Sequence, residues 1–287
     1  MAAAFLWGGG DFSGGMGAKN AGGTMGGALR VILTSHAASF TVLVAIARWR
    51  GDTFPHGAPL AWGIAAGVTG GIALACFYVA LSRGAMGASA ALSGLLAAAI
   101  PAVVSVIGEG SPGLLRIAGF LVAGAAIWLI AAGPNAEAKS ADAGTIWLAV
   151  AAGIGFGIYF VALKMAGVAG VIWPMATARI GSLSICSLIL VGLSLSPKTS
   201  KASEIAKGRL TRTAVRWALT TALLDTSGNL LFIAATRAGR LDVAAVLASL
   251  YPASTILLAA WMLSERPTRR QGLGMAVAAA AVVMITL

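Results

Sequence analysis

The chain has 287 residues, 59% of them hydrophobic and only 10% charged, and its formal net charge is +11. Because a soluble domain carries about 25% charged residues, this composition excludes a water-covered globular surface and indicates an integral membrane protein. The basic residues are spread singly or in pairs over the predicted loops, as expected for a protein whose partner is a lipid bilayer. Nucleic-acid binding is therefore not expected.

Apolar stretches long enough to cross a bilayer, which takes about 20 residues, follow one another along the whole chain. Because lipid excludes open strand edges, and these stretches are too long and too apolar for barrel strands, they predict helices. The first begins almost at Met1 and is interrupted by Asp11, so we interpret it as a span and not as a removable signal peptide. The ten predicted spans are 2–19, 29–47, 60–82, 86–108, 113–132, 144–165, 171–195, 213–236, 241–263 and 268–287.

The two halves of the chain align with each other as an internal repeat. Each half contains five predicted spans, and because five is odd, the second half must enter the membrane from the opposite side. The sequence therefore predicts an all-α bundle of two inverted five-helix units, residues 1–133 and 144–287, joined by a polar linker at 134–143. The aligned pairs include Gly8 and Gly153, Gly10 and Gly155, Lys19 and Lys164, Arg30 and Arg179, Pro112 and Pro267, and Gly119 and Gly274.

Several sequence motifs carry a resemblance to a known family. They are WGGGDFSGG (7–15), GFGIYFVALK (155–164), WPMATAR (173–179), LLDTSGNLLFIAATRAG (223–239), VLASLYP (246–252) and LSERPT (263–268). Through them nearly the whole chain resembles the EamA-type transporters of the drug/metabolite transporter superfamily. The resemblance implies ten helices around a substrate cavity and a bacterial inner-membrane location. It also implies export of small metabolites, amino acids or drugs, as in many relatives.

Two acids lie midway along predicted spans, Asp11 in the first and Asp225 in the eighth. An ionisable residue at a helix centre costs about 2.5–3.5 kcal/mol on insertion scales, which makes it a candidate functional group. Asn229 places a second polar side chain one helical turn after Asp225. We predict that Asp225 carries a proton or the amine of the solute, with Asp11 as the second candidate. The structural alternative is that both acids only hydrogen-bond neighbouring helices.

Arg179 lies inside the seventh predicted span, after Trp173 and Pro174. A buried guanidinium needs a carboxylate partner, which its planar fork binds well. Two partners are therefore predicted for it, the Asp225 carboxylate or a carboxylate of the solute.

Other residues are predicted to shape a pathway between the helices. Tyr78 and Tyr159 lie deep in spans and are predicted to line a cavity, although most aromatic residues in spans face lipid or the interface. Close contacts that move, and bends in helices, are expected at small residues and prolines. The candidates for these hinge and packing positions are Gly8, Gly153, Pro174 and Pro252.

No enzyme chemistry is predicted. His36 and His56 are the only histidines, and because the sequence has no catalytic triad order, metal-ligand cluster or phosphate loop, no catalytic residue, metal or cofactor is expected. We predict a secondary transporter that exports a small organic solute by alternating access, with protons as a candidate coupling ion. The alternatives are a non-transporting membrane scaffold or sensor and a lipid-processing enzyme, which would need a reactive cluster near the lipid headgroups.

Ten spans place both chain termini on the same side of the membrane. The family resemblance places that side in the cytoplasm. The basic residues of the connections, however, number 6 on the side of the termini and 13 on the other, opposite to the positive-inside bias.

Overall fold

The computed structural model describes residues 1–82, 86–131, 143–195, 210–262 and 268–287. Over these residues the chain is α-helical, with a short 3-10 turn at Gly167–Ala169 and no β-strand. All but residue 143 of the predicted linker, and residues 263–267 of the LSERPT motif, lie outside the described residues. The helices are α1 (Ala2–Asn20), α2 (Met25–Arg50), α3 (Ala58–Ser82), α4 (Met86–Glu109), α5 (Leu114–Ala131), α6 (Ala143–Ala166), α7 (Ile172–Leu195), α8 (Arg212–Ala238), α9 (Leu241–Ala248), α10 (Tyr251–Met262) and α11 (Arg269–Thr286).

The helices have the length and surface of a membrane protein. Among the described residues, 6 helices are long and apolar enough to cross a membrane, namely α2, α3, α4, α6, α7 and α8, while α5 and the pair α9–α10 give shorter apolar segments. Large apolar side chains such as Leu121 (74% exposed), Trp147 (70%) and Leu188 (68%) lie on the surface. Lipid tails accept such a surface, whereas water does not. The chain is therefore an integral, multi-pass membrane protein.

The ninth predicted span is divided into two helices. α9 ends at Ala248 and α10 begins at Tyr251, with a turn between them, so one continuous helix over 241–263 is not formed. The cause is Pro252, because it has no N–H to bond the carbonyl of Ala248 and its ring would collide with that carbonyl in a continuous helix. In the first turn of α10 the missing N–H costs nothing. Pro174 likewise lies in the first turn of α7.

The most extensive helix contacts join the two halves of the sequence. α3 packs on α6 and α7, α1 packs on α8 and α10, α4 packs on α6, α2 packs on α7, and α5 packs on α11. Contacts between helices of the same half, such as α1 with α2 or α3 with α4, are less extensive. The helices of the two predicted five-helix units are therefore interleaved in one bundle.

α5 and α11 pack through two glycines that the internal repeat aligns. A methyl group on Gly119 would lie 2.8 Å from Ile285 Cγ1, and one on Gly274 would lie 2.8 Å from Ile130 N, so only glycine permits this approach. Gly119 lies near the start of α5 and contacts the end of α11, whereas Gly274 lies near the start of α11 and contacts the end of α5. The two helices are therefore antiparallel. Gly274 lies 155 positions after Gly119, and Ile285 lies 155 positions after Ile130, so the two contacts have the same spacing in the sequence.

Gly8 and Gly153 also lie in close helix contacts. A methyl group on Gly8 of α1 would be 2.7 Å from Tyr251 O of α10, and one on Gly153 of α6 would be 2.7 Å from Leu96 Cβ of α4. Since such distances exclude a side chain, both glycines bring their helices together. That these contacts move stays a prediction.

Candidate functional site

A cavity lies between α1, α2, α3, α6, α7 and α8, with Ala97 of α4 and Tyr251 of α10 also in its wall. The space open to the centre of a water-sized sphere is about 50 Å³, several times the roughly 10–15 Å³ that one water molecule needs. The polar wall consists of Asp11, His36, Tyr159, Arg179, Ser182, Asp225 and Asn229, and the apolar wall includes Trp7, Leu74, Phe156, Phe160 and Ala178.

Close packing of α7 on α3 places Arg179 in the cavity wall. A methyl group on Gly67 would overlap the backbone of Ala178, and one on Gly181 would overlap the backbone of Ile64, so the two helices meet backbone to backbone. Arg179 lies next to this contact and is only 3% exposed. A guanidinium buried to this degree must find its hydrogen-bond acceptors on neighbouring helices.

The Arg179 guanidinium binds side chains of two other helices. Its Nη2 donates to Asp225 Oδ2 at 2.5 Å and to Thr226 Oγ1 at 2.9 Å, both on α8. Its Nη1 donates to His36 Nε2 on α2 at 2.8 Å. Arg179 and Asp225, whose side chains are 4% and 16% exposed, therefore form a largely buried ion pair. Of the two partners predicted for Arg179, the structure shows the carboxylate of Asp225.

The contacts of His36 determine its protonation. Arginine nitrogens only donate, so His36 Nε2 must be the acceptor and carry no hydrogen. The hydrogen then lies on Nδ1 and points to Ser182 Oγ, 2.7 Å away. Ser182 in turn donates to the carbonyl of Arg179 at 3.1 Å. His36 is therefore a neutral ring that contributes no charge to the cavity.

Asn229 and Tyr159 extend the polar chain from α8 to α6. Asn229 Nδ2 donates to Asp225 Oδ1 at 3.0 Å and to the Asp225 carbonyl at 2.8 Å. The Tyr159 hydroxyl donates to Asn229 Oδ1 at 2.7 Å. One continuous chain of hydrogen bonds thus runs from Tyr159 on α6 through α8 to Arg179 on α7.

Asp11 lies in the same cavity wall but outside this chain of hydrogen bonds. Gly10 brings α1 close to Asp225, since a methyl group there would be 3.2 Å from Asp225 N. Within the part of the chain that the structure describes, the Asp11 carboxylate forms no hydrogen bond and no ion pair. Tyr78 is 1% exposed and packs with its hydroxyl against Gly14 of α1, beside the cavity and not in its wall.

Sequence reasoning missed part of this site. His36 and Ser182 were not predicted as site residues, although a histidine inside a span meets the criterion that singled out the acids. The aromatic wall was missed as well. Trp7 stacks on Phe160 with ring centroids 5.0 Å apart, but an aromatic residue in a span gives no signal that separates a cavity wall from lipid-facing packing.

A second polar cluster joins the ends of α4 and α6 to the turn between α8 and α9. Lys164 Nζ binds Glu109 Oε1, and Arg240 Nε lies 4.0 Å from Glu109 Oε2. Arg240 also donates to the carbonyl of Gly110 at 2.7 Å and binds the fully buried Asp242 at 2.8 Å. The hydrogen bond to Asp242 raises the pKa of the Arg240 guanidinium. This cluster, Glu109, Lys164, Arg240 and Asp242, ties three chain segments together.

Comparisons with known proteins agree with this architecture. The sequence profile of the EamA-like transporter family matches residues 143–287. No curated protein matches the chain. Fifteen chains of solved structures match it, and one of them, a crystal structure of a protein 15% identical in sequence, superposes with a TM-score of 0.69 over 99% of this chain and 94% of its own. At this identity the likeness shows the fold alone.

Proposed function

The chain belongs to the EamA-like transporter family, and on this basis we propose that it is a secondary transporter that exports a small organic solute by alternating access. The observation that carries the proposal is the line of charged and polar side chains in the cavity wall. A scaffold has no need for such a line, since well-packed apolar residues in place of a buried ion pair are often neutral or stabilising. Charged groups that line open space at membrane depth favour a solute pathway over the scaffold or sensor alternative.

The proposed motion involves two units that differ from the two halves of the sequence. The α1 unit comprises α1, α2, α8, α9 and α10, where α8 packs on α1 and α2, and the α6 unit comprises α3, α4, α6 and α7, where α3 packs on α6 and α7. Across the boundary between the units, α2 packs on α7 and α9 packs on α4. The repeat exchanges α1 with α6, α2 with α7, α3 with α8, and α4 with the pair α9–α10, so it converts one unit into the other. The mirrored glycine contacts of α5 and α11 follow the same exchange and support an inverted repeat.

The polar chain in the cavity crosses the boundary between these units. Arg179 and Tyr159 belong to the α6 unit, whereas Asp225, Asn229 and His36 belong to the α1 unit. Rocking of one unit against the other would therefore separate Arg179 from Asp225. A carboxylate that loses its cation in the membrane takes up a proton more readily, which would couple proton movement to the motion of the units.

The cluster around Glu109 supports a closed pathway on one face. Lys164 and Glu109 belong to the α6 unit, and Arg240 belongs to the connection within the α1 unit. If the chain crosses the membrane ten times, this cluster lies on the face of the two termini. Opening on that face would require Arg240 to leave Glu109 and Gly110.

Counterflow in liposomes tests the proposal. Purified protein is reconstituted with an unlabelled solute inside, and uptake of the labelled solute is measured for a panel of amino acids, amines and carboxylates, with and without a pH gradient. A transporter exchanges at least one solute faster than protein-free liposomes do. Equal rates for the whole panel would support the scaffold or sensor alternative. Reporter fusions at Leu287 determine the side on which the termini lie.

A further inference from the structure

The charges in the cavity wall do not cancel. Arg179 is paired with Asp225, and His36 is neutral because its Nε2 accepts from Arg179. Among the described residues of the wall, Asp11 is the one further residue with an ionisable acidic or basic side chain besides this pair and His36. Its carboxylate has no hydrogen bond and no ion pair with the described residues. With Asp11 ionised, the described wall thus carries one negative charge without a counter-ion.

The groups that face Asp11 favour a positive ligand. α8 presents Asp225 beside it, and α2 and α7 present the neutral His36 and the paired Arg179. α3 and α10 present the phenol side chains of Tyr78 and Tyr251, which add no charge while protonated. An anionic ligand placed here would meet two carboxylates. An isolated carboxylate in a low-dielectric site is unfavourable, so the position calls for a proton or a cation.

Arg179 offers little to an anionic ligand in this arrangement. Its two terminal nitrogens already donate to Asp225, Thr226 and His36. Its Nε has no hydrogen-bond partner but is fully buried, out of reach of the cavity. A carboxylate ligand would therefore have to displace Asp225 before it could bind the guanidinium.

Aromatic side chains line the same cavity as Asp11. Trp7 precedes Asp11 by one helical turn on α1, and Phe156 and Phe160 line the wall from α6. Aromatic faces accept an ammonium or its alkyl substituents, because the ring quadrupole attracts a cation. The small volume of the cavity limits the ligand to a compact molecule.

We infer that Asp11 binds the ammonium group of a compact organic monocation, and that a proton replaces this cation on the same carboxylate in the other stage of the cycle. This inference rests on the proposed transport function and specifies its cargo. Protonated Asp11 releases its proton to water when the cation binds, and the reverse exchange discharges the cargo. The exchange of one cation for one proton leaves the net charge of the site unchanged.

A series of probes that differ only in charge tests the inference. Choline is the cation, 3,3-dimethyl-1-butanol is its neutral isostere, and 3,3-dimethylbutanoate is the anion. Binding to the full-length protein in detergent is measured by calorimetry over a range of pH. We expect choline to bind at least about tenfold more tightly than the alcohol, since one charge pair outside bulk water supplies that difference. Below the pH at which Asp11 takes up a proton, the affinity for choline should fall about tenfold for each unit by which the pH is lowered.

Asp11→Asn isolates the contribution of the carboxylate. Because Asp11 has no hydrogen bond to lose, the variant should fold and bind choline and the alcohol equally, without pH dependence. Asp11→Glu should restore the preference for choline, and Asp52→Asn, at the exposed ion pair with Arg50, should leave it unchanged. A preference for choline that persists in Asp11→Asn, or tighter binding of the butanoate than of choline by the parent, would overturn the inference.

Counterflow separates this inference from the proposed function. A parent protein that exchanges a neutral or anionic solute but neither binds nor moves choline is a transporter, and the assignment of a cation site to Asp11 is then wrong. A protein that binds choline through Asp11 yet exchanges no solute of the panel keeps the cation site, and the proposed transport is then wrong.

Discussion

Replacement of Asp225 by asparagine should destabilise the protein through Arg179. The carboxylate accepts from Arg179 at 2.5 Å and from Asn229 at 3.0 Å, and the Arg179 side chain is only 4% exposed. An amide keeps the size but not the charge, so the guanidinium remains buried without a counter-ion. Breaking a buried pair in this way costs about 3–5 kcal/mol, and we expect the lower end because Thr226 and His36 still accept from Arg179.

The exposed pair Arg50–Asp52 provides the matched control. Its side chains are 58% and 31% exposed, and exposed pairs contribute about 0–1 kcal/mol. Asp52→Asn should therefore have little effect on the free energy of unfolding. Unfolding can be followed with a thiol-specific dye in detergent, since Cys186 is fully buried and becomes reactive when the bundle opens.

A double-mutant cycle decides the cause of the loss. Arg179→Gln in the Asp225→Asn background removes the unpaired charge, so the double variant should be more stable than the sum of the two single losses predicts. A loss in Asp225→Asn no larger than in Asp52→Asn would refute the reasoning. The folded fraction of Asp225→Asn should also lose uptake driven by a pH gradient. Uptake that persists at the parental rate would contradict the coupling role of Asp225 and leave it a structural residue.

Three further outcomes are expected. Gly119→Leu should destabilise the α5–α11 contact by about 1–3 kcal/mol, whereas Gly108→Leu, at a position where an added Cβ atom meets nothing within 4 Å, should be neutral in the same unfolding assay. In a background without Cys76 and Cys186, a cysteine replacing Phe156 in the cavity wall should react with a small water-soluble thiol reagent, while one replacing the adjacent Phe77, which is 1% exposed, should stay protected. Glu109→Gln should change the rate of solute exchange several-fold, because the carboxylate links Lys164 to Arg240. The loss of stability should be small, because the Glu109 side chain is 27% exposed. Equal exchange rates in Glu109→Gln and the parent would exclude a gating role.

The positions of the helices and most residues of the polar cavity wall could be predicted from the sequence because both follow from local properties. The length of an apolar stretch decides where the chain crosses lipid, and the cost of an ionisable group there marks Asp11, Arg179 and Asp225 without knowledge of the fold. The break between the helices that end at Ala248 and begin at Tyr251 could also have been predicted, since a proline such as Pro252 interrupts a helix. The sequence therefore indicates which residues belong to the site but not which residues they contact.

The partners depend on which helices meet, and this cannot be derived from one span at a time. His36 accepts from Arg179 only because α2 packs on α7, and Asp11 reaches the cavity because α1 packs on α8. The internal repeat predicted from the sequence relates Gly8 to Gly153 by alignment alone, and an alignment gives no information on how the helices of the two halves interleave. On the units proposed above, Gly8 and α10 lie in one unit and Gly153 and α4 lie in the other. A bulky residue at either glycine should then lower stability more than it slows exchange.

In the proposed cycle, the division of the site between the two units gives its acids different tasks. Asp225 contacts Arg179 across the proposed boundary, so motion of the units would change its environment independently of any ligand. Asp11 belongs to the α1 unit and has no partner in the α6 unit among the described residues, so its counter-ion must come from the solution. A carboxylate that depends on a ligand for its counter-ion is suited to bind cargo, and a carboxylate paired across the moving boundary is suited to sense the conformation. The sequence analysis named Asp225 as the first and Asp11 as the second candidate for one role, whereas the proposals above assign the two acids to successive steps of one cycle.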